Sequence, residues 1–158
     1  MEEVVVAESI AESIDVETPV SVAYRRWNEF ASFPEYMEGV DDVRGSDEIH
    51  SHWVTSFGGV VREFDATITD QEPGERIAWV CSSGPLRAGS VTFAPVTDRR
   101  TRITVQLELE PHGLAENFAE KTGILHRMVV ADMYRFKNVV EAETQDPAPS
   151  PASSAQLS

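Results

Sequence analysis

Few residues in this chain pair a reactive side chain with a spacing that would let it act. Arg62, Asp132 and Tyr36 are the candidates for electrostatic and acid–base work: a guanidinium that could polarise a carbonyl, and a carboxylate and a phenol that could exchange protons. Arg62 alternates with Phe64 and Ile68 close to the Gly58-Gly59 pair, which places it near the rim of a strand where its charged end reaches water. Asp132 falls inside the apolar stripe of a long helix. A buried carboxylate there needs a partner or a raised pKa, and Tyr24, Arg25 and Arg26 on the first helix are the partners expected. His50 and His52 share a strand face and could chelate a metal, but no third ligand is readable nearby, so both read as exposed histidines on the face opposite Trp53. His112 and His126 have no evident catalytic partner, and Cys81, the only cysteine, faces inward beside Trp79 as a small hydrophobe. No Gly-rich phosphate loop or G-x-S-x-G turn occurs. No metal and no cofactor is expected.

The elements that must carry these residues are readable from periodicity. Ile10, Glu12, Ile14 and Val16 alternate with Ala11, Ser13 and Asp15, which predicts a half-buried strand. Thr18 as cap and Pro19 at the first helical position predict a helix presenting Ala23, Trp27 and Phe30. Phe33-Pro34 breaks it, and Glu35 to Glu38 offers a second short turn carrying Tyr36 and Met37. Ser51, Trp53, Thr55 and Phe57 share one strand face before the glycine pair. The returning strand sets Arg62, Phe64, Ala66 and Ile68 on one side and Glu63, Asp65 and Thr67 on the other. Glu72-Pro73-Gly74-Glu75 reads as a type II turn. Ile77, Trp79 and Cys81, then Gly89, Val91 and Phe93, then Ile103, Val105, Leu107 and Leu109 mark three more strands. Finally, Leu114, Phe118, Thr122, Leu125, Val129, Met133, Phe136 and Val140 line one arc of a helix from about Leu114 to Ala142. A stripe that long needs a partner along its whole length, and no other helix is long enough. A curved antiparallel sheet must therefore wrap the helix, giving an α+β fold.

Composition narrows the partners. The 158 residues suit one domain, 1–143, followed by a Pro/Ser/Ala tail, 144–158, that has almost nothing to bury and is expected to be disordered. Acids outnumber bases 27 to 13, a formal net charge of −14, so nucleic acid is an unfavourable partner. Thirteen of the acids and three of the bases fall in the first 50 residues. Apolar runs fall far short of the ~20 residues that would span a bilayer, the acidic start is unlike a secretory signal, and the lone cysteine suits a reducing compartment. A cytoplasmic monomer or homodimer without membrane insertion is expected.

The order strand, two short helices, about six strands and a long C-terminal helix resembles the START-like (SRPBCC, helix-grip) superfamily, and more narrowly its polyketide cyclase/dehydrase and quinone-carrier branch. The segments that carry the likeness are Ser13-Ile14-Asp15-Val16-Glu17-Thr18-Pro19, Phe33-Pro34-Glu35-Tyr36-Met37, Arg76-Ile77-Ala78-Trp79 and Arg135-Phe136-Lys137, and it extends over roughly residues 8 to 142. The resemblance implies a deep apolar cavity between sheet and helix. Phe33, Met37 and Val40 would line its entrance; Trp53, Phe57, Phe64, Ile68, Trp79 and Phe93 would line the sheet side; Leu114, Phe118 and Leu125 would come from the helix. Aromatase/cyclases of this family place polar groups on the strand after the glycine hairpin, where this chain has Ala66 and Ile68, and a tyrosine where this chain has Val40. A register slipped by one residue would instead bring Asp65 and Thr67 inward. The leading expectation is a protein that binds a hydrophobic small molecule, aromatic, polyketide-like or lipid-like. The alternative is a polyketide cyclase or dehydratase using Arg62, Asp132 and Tyr36; a third reading is an interaction module that docks a basic partner on its acidic N-terminal half.

Overall fold

The computed structural model describes residues 9–57, 60–83, 86–109 and 118–145. The elements are β1 (Ser9–Val16), α1 (Val20–Asn28), a 3-10 turn (Phe30–Glu35), β2 (Val40–Gly45), β3 (His50–Phe57), β4 (Val60–Glu72), β5 (Arg76–Cys81), β6 (Leu86–Thr97), β7 (Arg100–Leu109) and α2 (Phe118–Gln145). All strands join one antiparallel sheet in the order β1-β7-β6-β5-β4-β3-β2. β1 and β2 are consecutive strands yet form opposite edges, so α1 and the 3-10 turn cross the open side of the sheet between them. Register shifts at Val40/Asp42, Ile68/Asp70, Leu86/Ala88 and Pro95/Thr97 add the local twist that curls the sheet around α2. The Gly58-Gly59 hairpin, His112, Leu114 and residues 146–158 lie outside the described residues.

Four local readings meet the structure directly. Gly74 has φ +77° and Glu75 N–H donates to the Glu72 carbonyl at 2.9 Å, the type II turn its Pro-Gly pair predicts. Thr18 is not the helix cap. Pro19 holds that position, φ −63° and ψ 152°, while the wholly buried Thr18 hydroxyl meets that of Thr144 at 2.5 Å. The second short turn comes earlier than expected and contains Pro34, with Tyr36 following it. β2 is a strand that alternation does not reveal, because the bulge at Asp41 breaks the period between Val40 and Val43.

The helix is clasped as its stripe requires. Leu125, Met133, Phe136 and Val140 are buried against the sheet. Polar ties fix its far end to β1: Lys137 Nζ donates to the Asp15 carbonyl at 2.9 Å, and Glu17 N–H donates to the Glu141 carboxylate at 2.8 Å. The helix runs through Gln145, so Thr144 belongs to it rather than to the tail.

Candidate functional site

Between the concave face and α2 lies a cavity of about 200 Å³. Strand pairing builds its floor. Trp53 stands opposite Phe64 and Ser51 opposite Ala66; Ile68 stands opposite Trp79, and Ala66 opposite Cys81. Period-2 geometry sends all of these to one face. This pairing settles the register of β4: Ala66 and Ile68 face the cavity, while Asp65 sits on the outer face opposite His52. Gly89 lies opposite Trp79, and a Cβ there would stand 2.5 and 2.7 Å from indole carbons, so the missing side chain is what lets the ring lie across β6.

Of the twelve residues expected to line the cavity, eight do: Phe33, Met37, Val40, Trp53, Phe64, Ile68, Trp79 and Leu125. The side chains of Phe57 and Phe118 lie outside what is described, as does Leu114. Phe93 does not line it. Its ring is buried, edge-on to Tyr24 at 5.4 Å and to Trp27 at 6.3 Å, in the filled part of the interior.

Trp27, Phe30, Met128 and Met133 also line the cavity, and helical spacing puts all but Met128 on the apolar faces. The rings form a continuous wall. Trp27 meets Phe33 at 5.3 Å, Phe33 meets Trp53 at 6.1 Å, and Trp53 stacks on Phe64 at 6.3 Å with planes 4° apart. All three tryptophans, the only cysteine and three of the four methionines face this one space. Thioethers give such a wall adaptability.

The candidate chemical groups do not converge there. Arg62 stands opposite Thr55 on the inner face but outside the lining. Tyr36 is also outside it, with the Arg26 guanidinium 5.8 Å from its ring centre. Burial pushes the Tyr36 phenol up to about 12, and its oxygen has no hydrogen-bond partner among the described residues.

Asp132 does line the cavity, but its partners are not the ones expected on α1. Oδ1 accepts from Glu38 N–H at 2.8 Å and from Arg135 Nη1 at 2.8 Å, and Oδ2 accepts from Gly39 N–H at 3.1 Å. The carboxylate thus ties the segment before β2 to α2, a role that adjacent residue numbers could not disclose. Gly39 permits this approach: a Cβ there would fall 2.8 Å from Met128 Cε and 3.2 Å from Asp132 Oδ2.

The remaining polar groups of the wall are few. Trp53 Nε1 donates to Ser51 Oγ at 2.8 Å; Asn28 donates to the Tyr24 carbonyl at 3.0 Å and accepts from Gln71 at 3.0 Å. Burial pushes the Cys81 thiol up to about 11, so it stays protonated near neutral pH. On the outer face, His52 meets Asp65 at 2.7 Å and Glu63 at 3.0 Å, while His50 meets Asp47. Among the described residues no group of three or more His, Cys, Asp or Glu could hold a metal, and no helix is long and apolar enough to cross a membrane.

A seven-stranded sheet curled around one long helix, with a cavity between them, is the START-like helix grip. Solved structures share it: the Zhui aromatase/cyclase from Streptomyces sp. R1128 (TM-score 0.74, 13% identity, 87% of this chain and 96% of that one) and a START superfamily protein from Mycobacterium smegmatis (TM-score 0.66, 12% identity, 84% and 97%). Within that fold the chain belongs to the polyketide cyclase / dehydrase and lipid transport family, whose profile matches residues 16–137. It is also 39% identical, over 87% of its length and 92% of the other's, to an uncharacterized 17.2 kDa protein of Streptomyces lincolnensis.

Proposed function

We propose that this protein binds a hydrophobic small molecule in the cavity between the sheet and α2, as a carrier or sequestering protein rather than through acid–base catalysis. One observation carries the reading. Among the described residues the wall is made almost wholly of carbon and sulfur, and Asp132, the one carboxylate on it, already accepts three donors. Such a wall gains free energy by removing apolar ligand surface from water, about 25 cal/mol per Å² before the costs of association. Its described residues include no group poised to move a proton to or from a substrate carbon. An engineered apolar cavity of ~150 Å³ accommodates benzene, so about 200 Å³ suits a compact molecule of one or two rings.

Two independent reporters face the cavity. Tryptophan fluorescence reads occupancy because every tryptophan lines it, and alkylation of Cys81 reads access to its wall. A panel of quinones, aromatic polyketides and lipids should yield at least one compound that quenches the fluorescence and slows alkylation at the same micromolar concentration. A panel with no effect up to millimolar concentration overturns the reading.

A further inference from the structure

Resting on that reading, we infer that the cavity selects for uncharged ligands and rejects carboxylates and phosphates of the same shape. None of its lining residues is Lys, Arg or His among the described residues. Among the described lining residues the one acidic side chain is Asp132, and its Arg135 partner bonds to that carboxylate rather than facing the space. The protonated Cys81 thiol adds no charge. Ser51 keeps a hydroxyl proton free after accepting from Trp53, and Thr55 adds a second hydroxyl on the same strand face. These suit a ligand carbonyl or hydroxyl, not a full charge.

A buried anion would lose its hydration without gaining a cation, in a protein of net charge −14. Arg62 is the nearest cation on this face by strand pairing. It stands opposite Thr55, one same-face position along β4 from Phe64, and outside the cavity lining, where it could hold an anion only at the cavity's edge.

The test compares three molecules with one naphthalene frame by isothermal titration calorimetry at pH 7.5: 2-naphthol, methyl 2-naphthoate and 2-naphthoate. The two neutral compounds should bind, with 2-naphthoate at least ~30-fold weaker. Thr55→Lys should narrow or reverse that ratio by placing an ammonium on the wall, while Arg62→Leu should leave it unchanged. Equal binding of ester and acid overturns the inference but not the binding reading. So does acid binding that is lost in Arg62→Leu. Failure of both neutral compounds to bind below millimolar concentration overturns the inference together with the reading it rests on.

Discussion

Around Phe136 and Val140 the space between α2 and the sheet is filled, whereas around Leu125, Val129 and Met133 the same stripe of the same helix borders a void. At the filled end Phe136 is 1% and Val140 0% exposed, and Val16 and Ile103 are as deeply buried. The filled end has the body of α1 packed into it. α1 lays Ala23 and Trp27 into the filled end, where Trp27 meets Phe136 edge-on at 5.0 Å. Trp27 also borders the cavity, so one indole is the partition between the two regions. Large rings alone therefore do not close an interior. Past Trp27 the cover passes to Phe30, Phe33 and Met37, and beneath these rings and thioethers space remains between sheet and helix.

The largest expected effect separates the two ends by stability. Phe136→Ala should cost about 3–5 kcal/mol, because a tightly packed site cannot collapse around the deletion, and should lower Tm by roughly 10 °C. Ile68→Ala, on the cavity wall, should cost less than about 1.5 kcal/mol, since part of its surface already lacks packing partners. Urea unfolding of both variants checks this, and equal losses would erase the distinction. Ligand affinity should follow the opposite order.

A middle-sized effect sharpens the account of the void. Gly89→Ala puts a methyl where Trp79 lies, so the indole must swing into the cavity at a cost of about 1–3 kcal/mol. Ligand affinity should fall further than stability does. Adding Trp79→Leu in the same chain should restore binding by reopening the space. If both variants bind as the wild type does, the ring does not set the cavity's size.

The smallest effect lies on the outer face of the same strands. Hydrogen bonds that the His52 ring donates to the carboxylates of Asp65 and Glu63 raise its pKa above its usual 6.5. The sign follows: this contribution is complete below the unfolded-state pKa and is lost as pH rises through the higher folded value. An NMR titration should place the His52 midpoint above 6.5, and Asp65→Asn with Glu63→Gln should return it there. The site is open to solvent, so ligand affinity should be indifferent to this change, unlike to changes on the inner face.

Much of the fold is legible before any coordinates, because it rests on local rules. The period of β7, the Pro-Gly turn at Pro73-Gly74 and the stripe on α2 each need only residues within a turn or a strand of one another. The unreadable parts depend on distant partners or on a broken period. β2 is hidden by one extra residue, Asp41, which puts Val40 and Val43 out of step. Thr18 has the identity of a cap, yet its hydroxyl serves a residue 126 positions away. Asp132 stands out as a carboxylate in an apolar stripe, but nothing near it in the chain points to the backbone of Glu38 and Gly39.

By itself, the sequence determined which side chains share a face of each strand and that a long helix had to lie against a sheet, since periodicity is a property of neighbours along the chain. Only the tertiary structure decided which inward residues pack and which border empty space. Phe93 and Phe64 share the same alternation, but α1 covers one and leaves the other facing a void. That choice depends on how a third element fills the space between two others, and no one-dimensional pattern encodes it.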